Sequence, residues 1–216
     1  MKNKIKVSFA VILILIIIGC RNPDKKEKES TQKETALIQM EFGKWNRQND
    51  SLGVELNVNN FENWIDLINR IEIIVCNDSI PKITSTTDRE IKTIYFRNTC
   101  LKEDSFRIIK TKNVIEIYNN KIFKNNKSGL PLDSLENVLR KDIENNGKNL
   151  DLSESSEKLT ICIQYDDKNE FNNLPNILNQ LTETYYRITN KKDLKILLIN
   201  ENYFSPPPRP KTKFKK

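Results

Sequence analysis

VIEIYNNKIFKNNKSGLPLDSLENVLRKDIENN, residues 114–146, followed by LTICIQYDD at 159–167, is the stretch whose reading decides the fold. Val114 to Tyr118 and Lys121 to Phe123 flank Asn119 and Asn120, and asparagine tolerates positive φ, so the pattern predicts two strands joined by a two-residue hairpin turn. Asp133 to Glu136 (DSLE) has the spacing of a capping box, and Leu135, Val138, Leu139 and Ile143 form one helix face. Leu159 to Tyr165 then alternates. Leu159, Ile161, Ile163 and Tyr165 share one face; Thr160, Cys162 and Gln164 share the other. Beyond it, Phe171, Leu174, Ile177, Leu178, Leu181 and Tyr185 make a helical stripe that tolerates Pro175 in its first turn. Leu194 to Ile199 (LKILLI) is a short apolar strand suited to a sheet interior. The expected class is α+β: a small mixed sheet whose strands begin at Val114, Lys121, Leu159 and Leu194. Two helices, near 133–145 and 172–188, pack on one face of it.

Working outward, residues 36–112 read as an additional helix and strands. Leu37 to Val58 is ambiguous, since Leu37, Met40 and Trp45 suit the start of a helix while LGVELNV at 52–58 alternates like a strand. Asn60 reads as the N-cap of a helix through Arg70, with Phe61, Trp64, Ile65 and Ile68 on one side. The β-branched run Ile71 to Cys76 reads as a strand and Pro81 to Asp88 as a loop. Ile91 to Arg97 and Phe106 to Lys110 read as strands.

At the N-terminus, Lys2, Lys4 and Lys6 precede an uncharged apolar run, Val7 to Ile18, that stops at Gly19-Cys20. A charged start, an apolar core and a small residue before the cut describe a secretory signal, and a dozen residues are too few to span a bilayer of roughly 30 Å. The Gly-Cys ending resembles the lipobox of bacterial lipoproteins. The resemblance implies cleavage after residue 19 and acylation of Cys20, so that the lipid bilayer is the first partner. Arg21 to Glu34 is polar and charged, cannot bury enough surface to offset its ordering entropy, and reads as part of a flexible tether over 20–35. Residues 202–216 form a basic tail whose Pro206, Pro207 and Pro208 favour an extended polyproline segment. Between tether and tail, 36–112 and 113–201 are read as successive α+β regions.

The formal charge is +7, but residues 1–19 carry three lysines and no acid, and residues 206–216 carry five cations, so the body between is near −1. That balance argues against a nucleic-acid-binding domain. The chain has no histidine, which excludes Ser-His-Asp and Cys-His catalysis and every His-ligated metal. Beyond Cys20 there are Cys76, Cys100 and Cys162. Three thiols permit at most one intrachain bridge, and Cys76 with Cys100 is the expected pair. Cys162, inside a strand with no evident activator, reads as a packing residue. The acidic run Asp166 to Glu170 lacks the ligand spacing and glycine of a calcium loop, and no metal or cofactor is expected. Trp45, Trp64 and Phe61 read as core aromatics.

The order from Val114, together with the Asn turn and an Asp after the LTICIQY strand (Asp166 or Asp167), resembles the periplasmic domain of ExbD/TolR biopolymer-transport proteins. The resemblance covers about 90 residues and implies a fold and a partner-binding role. Those proteins carry a transmembrane helix with a proton-accepting Asp. Val7 to Ile18 contains no acid, so no proton-driven motor is implied here. The functional expectation is a lipid-anchored, noncatalytic binding or scaffold lipoprotein of the cell envelope, at the outer membrane, accessory to a TonB/Tol-type system. It would hold an envelope protein, through an edge strand of the ExbD/TolR-like sheet, or peptidoglycan, through the basic tail. The alternative is a His-independent envelope enzyme acting on a cell-wall or peptide substrate.

Overall fold

Asn119 and Asn120 both adopt positive φ, 46° and 63°, and close a tight hairpin between β5 (Val114–Tyr118) and β6 (Lys121–Phe123). The computed structural model describes residues 37–44, 52–87, 89–101, 109–125, 129–166 and 171–200. The signal segment, Cys20, the tether, Trp45, the segment 102–108, Asp167 to Glu170 and the basic tail lie outside the described residues.

The hairpin belongs to a five-stranded mixed sheet of order β7-β6-β5-β8-β9. It comprises β7 (Leu130–Pro131), β8 (Thr160–Gln164) and β9 (Lys195–Leu198) besides the hairpin. The β5-β6-β7 side is antiparallel, whereas β5, β8 and β9 are parallel. Parallel neighbours need crossovers, and two helices supply them: α2 (Leu135–Glu144) from the hairpin side to β8, and α3 (Leu174–Thr189) from β8 to β9. Both stripes are buried. Leu135 and Leu139 of α2 and Leu174, Ile177, Leu178, Leu181 and Tyr185 of α3 join Ile115, Ile117, Ile122, Ile161, Ile163, Ile196 and Leu198 in one core. The sheet residues in that set alternate along each strand, so both helices cover one face. Cys162, Leu197 and Ile199 belong to the opposite face, with Ile109 and Val114 against them.

The upstream residues build a second mixed sheet, order β1-β4-β3-β2, from β1 (Ile38–Phe42), β2 (Gly53–Glu55), β3 (Ile80–Thr86) and β4 (Glu90–Tyr95). α1 (Trp64–Val75) lies between β2 and β3 in the chain. The two stretches 36–112 and 113–201 share the same core: Phe42, Trp64, Leu67, Ile71, Ile83 and Ile94 pack into the cluster that holds the C-terminal helices. The Trp64 indole Nε1 donates to Ile199 O at 2.8 Å, and its ring lies 5.2 Å from Tyr165 and 5.7 Å from Phe171. Lys92, 2% exposed, binds Glu90 at 3.1 Å and, from α3, Glu183 at 3.0 Å and Asn179. Leaving a buried Lys side chain without such partners would cost several kcal/mol, roughly 3–5.

Four local expectations are corrected here. Ile71 to Cys76 is not a strand: it continues α1, because Ile71 and Ile74 extend the buried stripe of Trp64 and Leu67, and isoleucine costs a helix only a few tenths of a kcal/mol. The cap of that helix is Asn63, not Asn60; its Oδ1 accepts Asp66 N while its Nδ2 donates to Asp66 Oδ2, both at 2.8 Å. Pro81 to Thr86 is not a loop but the body of β3, with Pro81 near the strand start, where a missing N–H is tolerated, and Ile83 inward. The Asp133 to Glu136 capping box does not form. A 3-10 turn at Leu132–Ser134 leads into α2 and Ser134 makes no side-chain cap. The ambiguous start resolves as strand β1 rather than helix.

Candidate functional site

The sheet edges decide where a partner strand can add. β9 is closed on its outer side: Arg97 N donates to Ile196 O at 2.8 Å, and the Asn98 amide donates to Leu198 O at 2.6 Å and accepts Leu198 N at 3.1 Å. The Asn98 side chain thus replaces a neighbouring strand. At the other edge β7 is two residues long and one is Pro131. The five-stranded sheet therefore does not offer the edge strand expected of it. β1 does. Ile38 N donates to Arg89 O at 3.0 Å, and in a parallel ladder alternate residues bond the same neighbour, so the N–H groups of Gln39 and Glu41 point away from β4. No described strand pairs with that side. Ile38 is 64% exposed beside it. The strand ends at Gly43, held at φ +75° with its N–H on Lys192 O at 2.7 Å.

A cavity of about 440 Å³ opens on the face of the five-stranded sheet away from α2 and α3. Thr160, Lys195 and Leu197 form its floor, and Thr160 and Lys195 are register partners across β8 and β9. Arg97 enters from the segment flanking β9, Lys110 and Asn113 from the turn before β5, and Glu154 and Lys158 from the loop before β8. Glu154 gathers three ammonium groups: Lys110 at 2.8 Å, Lys112 at 3.0 Å and Lys158 at 2.7 Å. Their hydrogen bonds hold its carboxyl well below the usual carboxylate range. Glu154 is itself held, since its N–H donates to Asn113 Oδ1 at 2.9 Å. The adjacent Ser153 is buried, with its N–H on Asp142 Oδ1 at 2.8 Å and its hydroxyl on Asn113 Oδ1 at 3.2 Å. Lys124 donates to the same Asp142 oxygen at 2.6 Å, and burial lowers its ammonium pKa.

The remaining sequence candidates fall elsewhere. Cys76 and Cys100 are joined as a disulfide, Cα atoms 4.7 Å apart, tying the end of α1 to the segment beyond β4. Glu72 is beside them, but sulfurs joined to each other are not thiolate ligands, and Glu72 Oε1 accepts Leu101 N at 3.0 Å. Cys162 is buried mid-strand, its thiol pKa pushed far up by burial and by the Glu116 carboxylate, its register partner. Burial also raises Glu116. Such a thiol holds almost no thiolate at neutral pH, which suits packing and not nucleophilic attack. Asp166 clasps the hairpin turn: its carboxylate accepts Tyr118 Oη and Asn119 Nδ2, the latter at 2.8 Å, and its N–H donates to Asn119 Oδ1 at 3.0 Å. The Tyr165 hydroxyl donates to Asn120 Oδ1 at 2.9 Å, and burial pushes its pKa up to about 12. Trp64 is core, and Phe61 packs at its margin.

No protein-family model matches the chain, and no curated protein or solved structure matches it significantly. The signals that locate the candidate sites are therefore internal to the molecule. The basic cavity escaped sequence reading because Arg97, Lys110, Lys158 and Lys195 come from four separated segments. The open β1 edge was hidden in a stretch whose periodicity fits helix and strand equally.

Proposed function

We propose that this protein is a lipid-anchored, noncatalytic binding module of the bacterial cell envelope, held at the outer membrane through acylated Cys20 and accessory to a TonB/Tol-type system. The observation that carries the binding role is β1, a five-residue edge strand whose outward N–H and C=O groups meet no described partner, while β9 is sealed by Arg97 and Asn98. An extended segment of an envelope protein adding beside β1 would satisfy those groups, and exposed Ile38 would offer it apolar contact. Support for the address comes from the residues: a basic start, an apolar run ending at Gly19-Cys20, and a polar tether.

Gln39→Pro tests the edge. It removes one outward N–H and leaves the ladder to β4 intact, a change an edge strand tolerates. Crosslinking in intact cells followed by capture of the full-length protein should yield an envelope protein partner that the Gln39→Pro variant loses at unchanged thermal stability. Retention of that partner would overturn the edge reading. Cys20→Ser should abolish labelling by a palmitate analogue and leave precursor of full length; unchanged labelling would overturn the anchor. Cleavage of a cell-wall or peptide substrate, lost on replacing one carboxylate, would replace the binding role with an enzyme.

A further inference from the structure

We propose that β1 pairs antiparallel with β1 of a second copy of this chain, across a two-fold axis at Gln39, joining their two four-stranded sheets into one. The inference rests on the edge reading above and names what occupies that edge when no envelope segment does. The other described edges are each blunted in a way that β1 is not. β2 is three residues long and opens on Gly53, β7 is two residues long and includes Pro131, and β9 is sealed by Arg97 and Asn98. β1 runs five residues without proline or lysine. Its one charge, on Glu41, is engaged within the chain: the carboxylate accepts Tyr95 Oη of β4 at 3.1 Å and meets Lys44 at 3.0 Å.

A strand that adds to its own copy obeys a two-fold axis, so only the register is free. Residues 37, 39 and 41 bond outward, and the opposed side chains select among the registers this allows. An axis at Glu41 sets two carboxylates directly opposite each other. An axis at Met40 sets exposed Ile38 against the fully buried Phe42, at the end where Gly43 turns onto Lys192. An axis at Ile38 overlaps the two strands at that residue alone. An axis at Gln39 avoids all three faults. It opposes Gln39 to Gln39 of the copy, Ile38 to Met40 and Leu37 to Glu41, and the outward-bonding residues exchange about six main-chain hydrogen bonds. Ile38, 64% exposed, then rests against the half-buried Met40, on the face that also carries Phe42 into the core. The lipid address supplies the concentration. Cys20 lies 17 positions before Leu37, and a polar chain of that length reaches roughly 20–25 Å as a coil. The two Leu37 positions stand about 14 Å apart, four residues at about 3.4 Å each along antiparallel strands. Two acylated chains on one leaflet therefore reach this arrangement, and confinement to a surface raises their effective concentration.

The test co-expresses two full-length copies with different epitope tags, oxidises intact cells, captures through one tag and detects the other. Opposed residues of a hydrogen-bonded pair have Cα atoms about 5.5 Å apart, within disulfide range, whereas diagonal neighbours stand about 7–8 Å apart. Gln39→Cys copies should therefore crosslink to each other and separate on reduction. Ile38→Cys, exposed but diagonal to itself, and Lys141→Cys, on the exposed side of α2, should give at least tenfold less. Cys76 and Cys100 are bridged and Cys162 is buried, and copies without an added cysteine report any contribution of Cys20. Wild-type copies should also be captured together after formaldehyde crosslinking, and Gln39→Pro should reduce that capture at least tenfold, with thermal unfolding showing the variant folded. Should the proline variant unfold, the contrast between Gln39→Cys and Ile38→Cys decides alone. No Gln39→Cys dimer, equal crosslinking of Ile38→Cys, or capture that survives in folded Gln39→Pro overturns the self-pairing. If Gln39→Pro then still loses an envelope protein, the edge reading stands and its occupant is a different chain; if it loses neither, both fall.

Discussion

Trp64 joins the upstream helix to the C-terminal sheet, and its replacement measures whether the two stretches fold as one. The side chain is 1% exposed, contacts the rings of Tyr165 and Phe171, and donates its indole N–H to Ile199 O at 2.8 Å. Trp64→Ala empties that space and should cost about 3–5 kcal/mol. Trp64→Phe keeps a ring but leaves Ile199 O without its donor, and should cost about 1–3 kcal/mol. Urea unfolding followed by far-UV circular dichroism should give a single transition in each variant, with the midpoint lowered and the m-value unchanged. Hydrogen exchange adds the spatial test. If the core is continuous, amides of α3 and β9 should lose protection by the same free energy as the global transition, about a hundredfold or more for Trp64→Ala, at about 1.4 kcal/mol per tenfold. A second transition, or protection in α3 and β9 that survives Trp64→Ala while α1 unfolds, would refute the single core.

Three further outcomes are expected. Cys76→Ser should lower stability by on the order of 3 kcal/mol, because the bridge closes a loop with a sequence separation of 24; denaturant melts of the variant and of dithiothreitol-treated protein should agree. Gly43→Ala should cost about 1–3 kcal/mol for the positive φ, and more for the clash of its Cβ, which would sit 2.4 Å from Tyr95 O; thermal melts measure it. Glu116 has a carboxyl pKa raised by burial, so the folded state keeps that proton to higher pH than the unfolded chain. Its contribution is largest below the ordinary carboxylate pKa and falls as pH rises through the raised value. Glu116→Gln should remove that slope in stability measured from pH 4 to 7.

The C-terminal sheet was legible because each of its signals is local. Asn119 and Asn120 can adopt left-handed φ, so the hairpin is written in two residues. The stripes of α2 and α3 repeat with helical spacing, and the alternation of Leu159 to Tyr165 names its own two faces. The upstream half misled for the same reason. β-branched residues from Ile71 to Val75 argue for a strand by propensity, yet the stripe begun at Trp64 and Leu67 outweighs them once there is a core to face. Pro81 argues for a loop, but β3 has strands on both sides and accommodates the proline near its start.

The candidate sites depend on what no local pattern carries. Asn98 reads as a polar loop residue until its amide is found closing β9 of the five-stranded sheet, which turns attention to β1, an edge of the four-stranded sheet. The cavity is a stronger case. Net charge is a sum over the chain, whereas the field at a point depends on where the charges stand. Cancelling the two basic ends against the total gave a body near −1 and argued against a basic face. That inference is sound for a broad surface and fails for a cleft. Glu154 explains why: one fixed carboxylate draws together lysines from two chain segments, while the sheet places Lys195 and the strand-mimicking segment places Arg97. A nearly neutral chain thereby brings Arg97, Lys110, Lys158 and Lys195 to one cavity, with Glu154 among them.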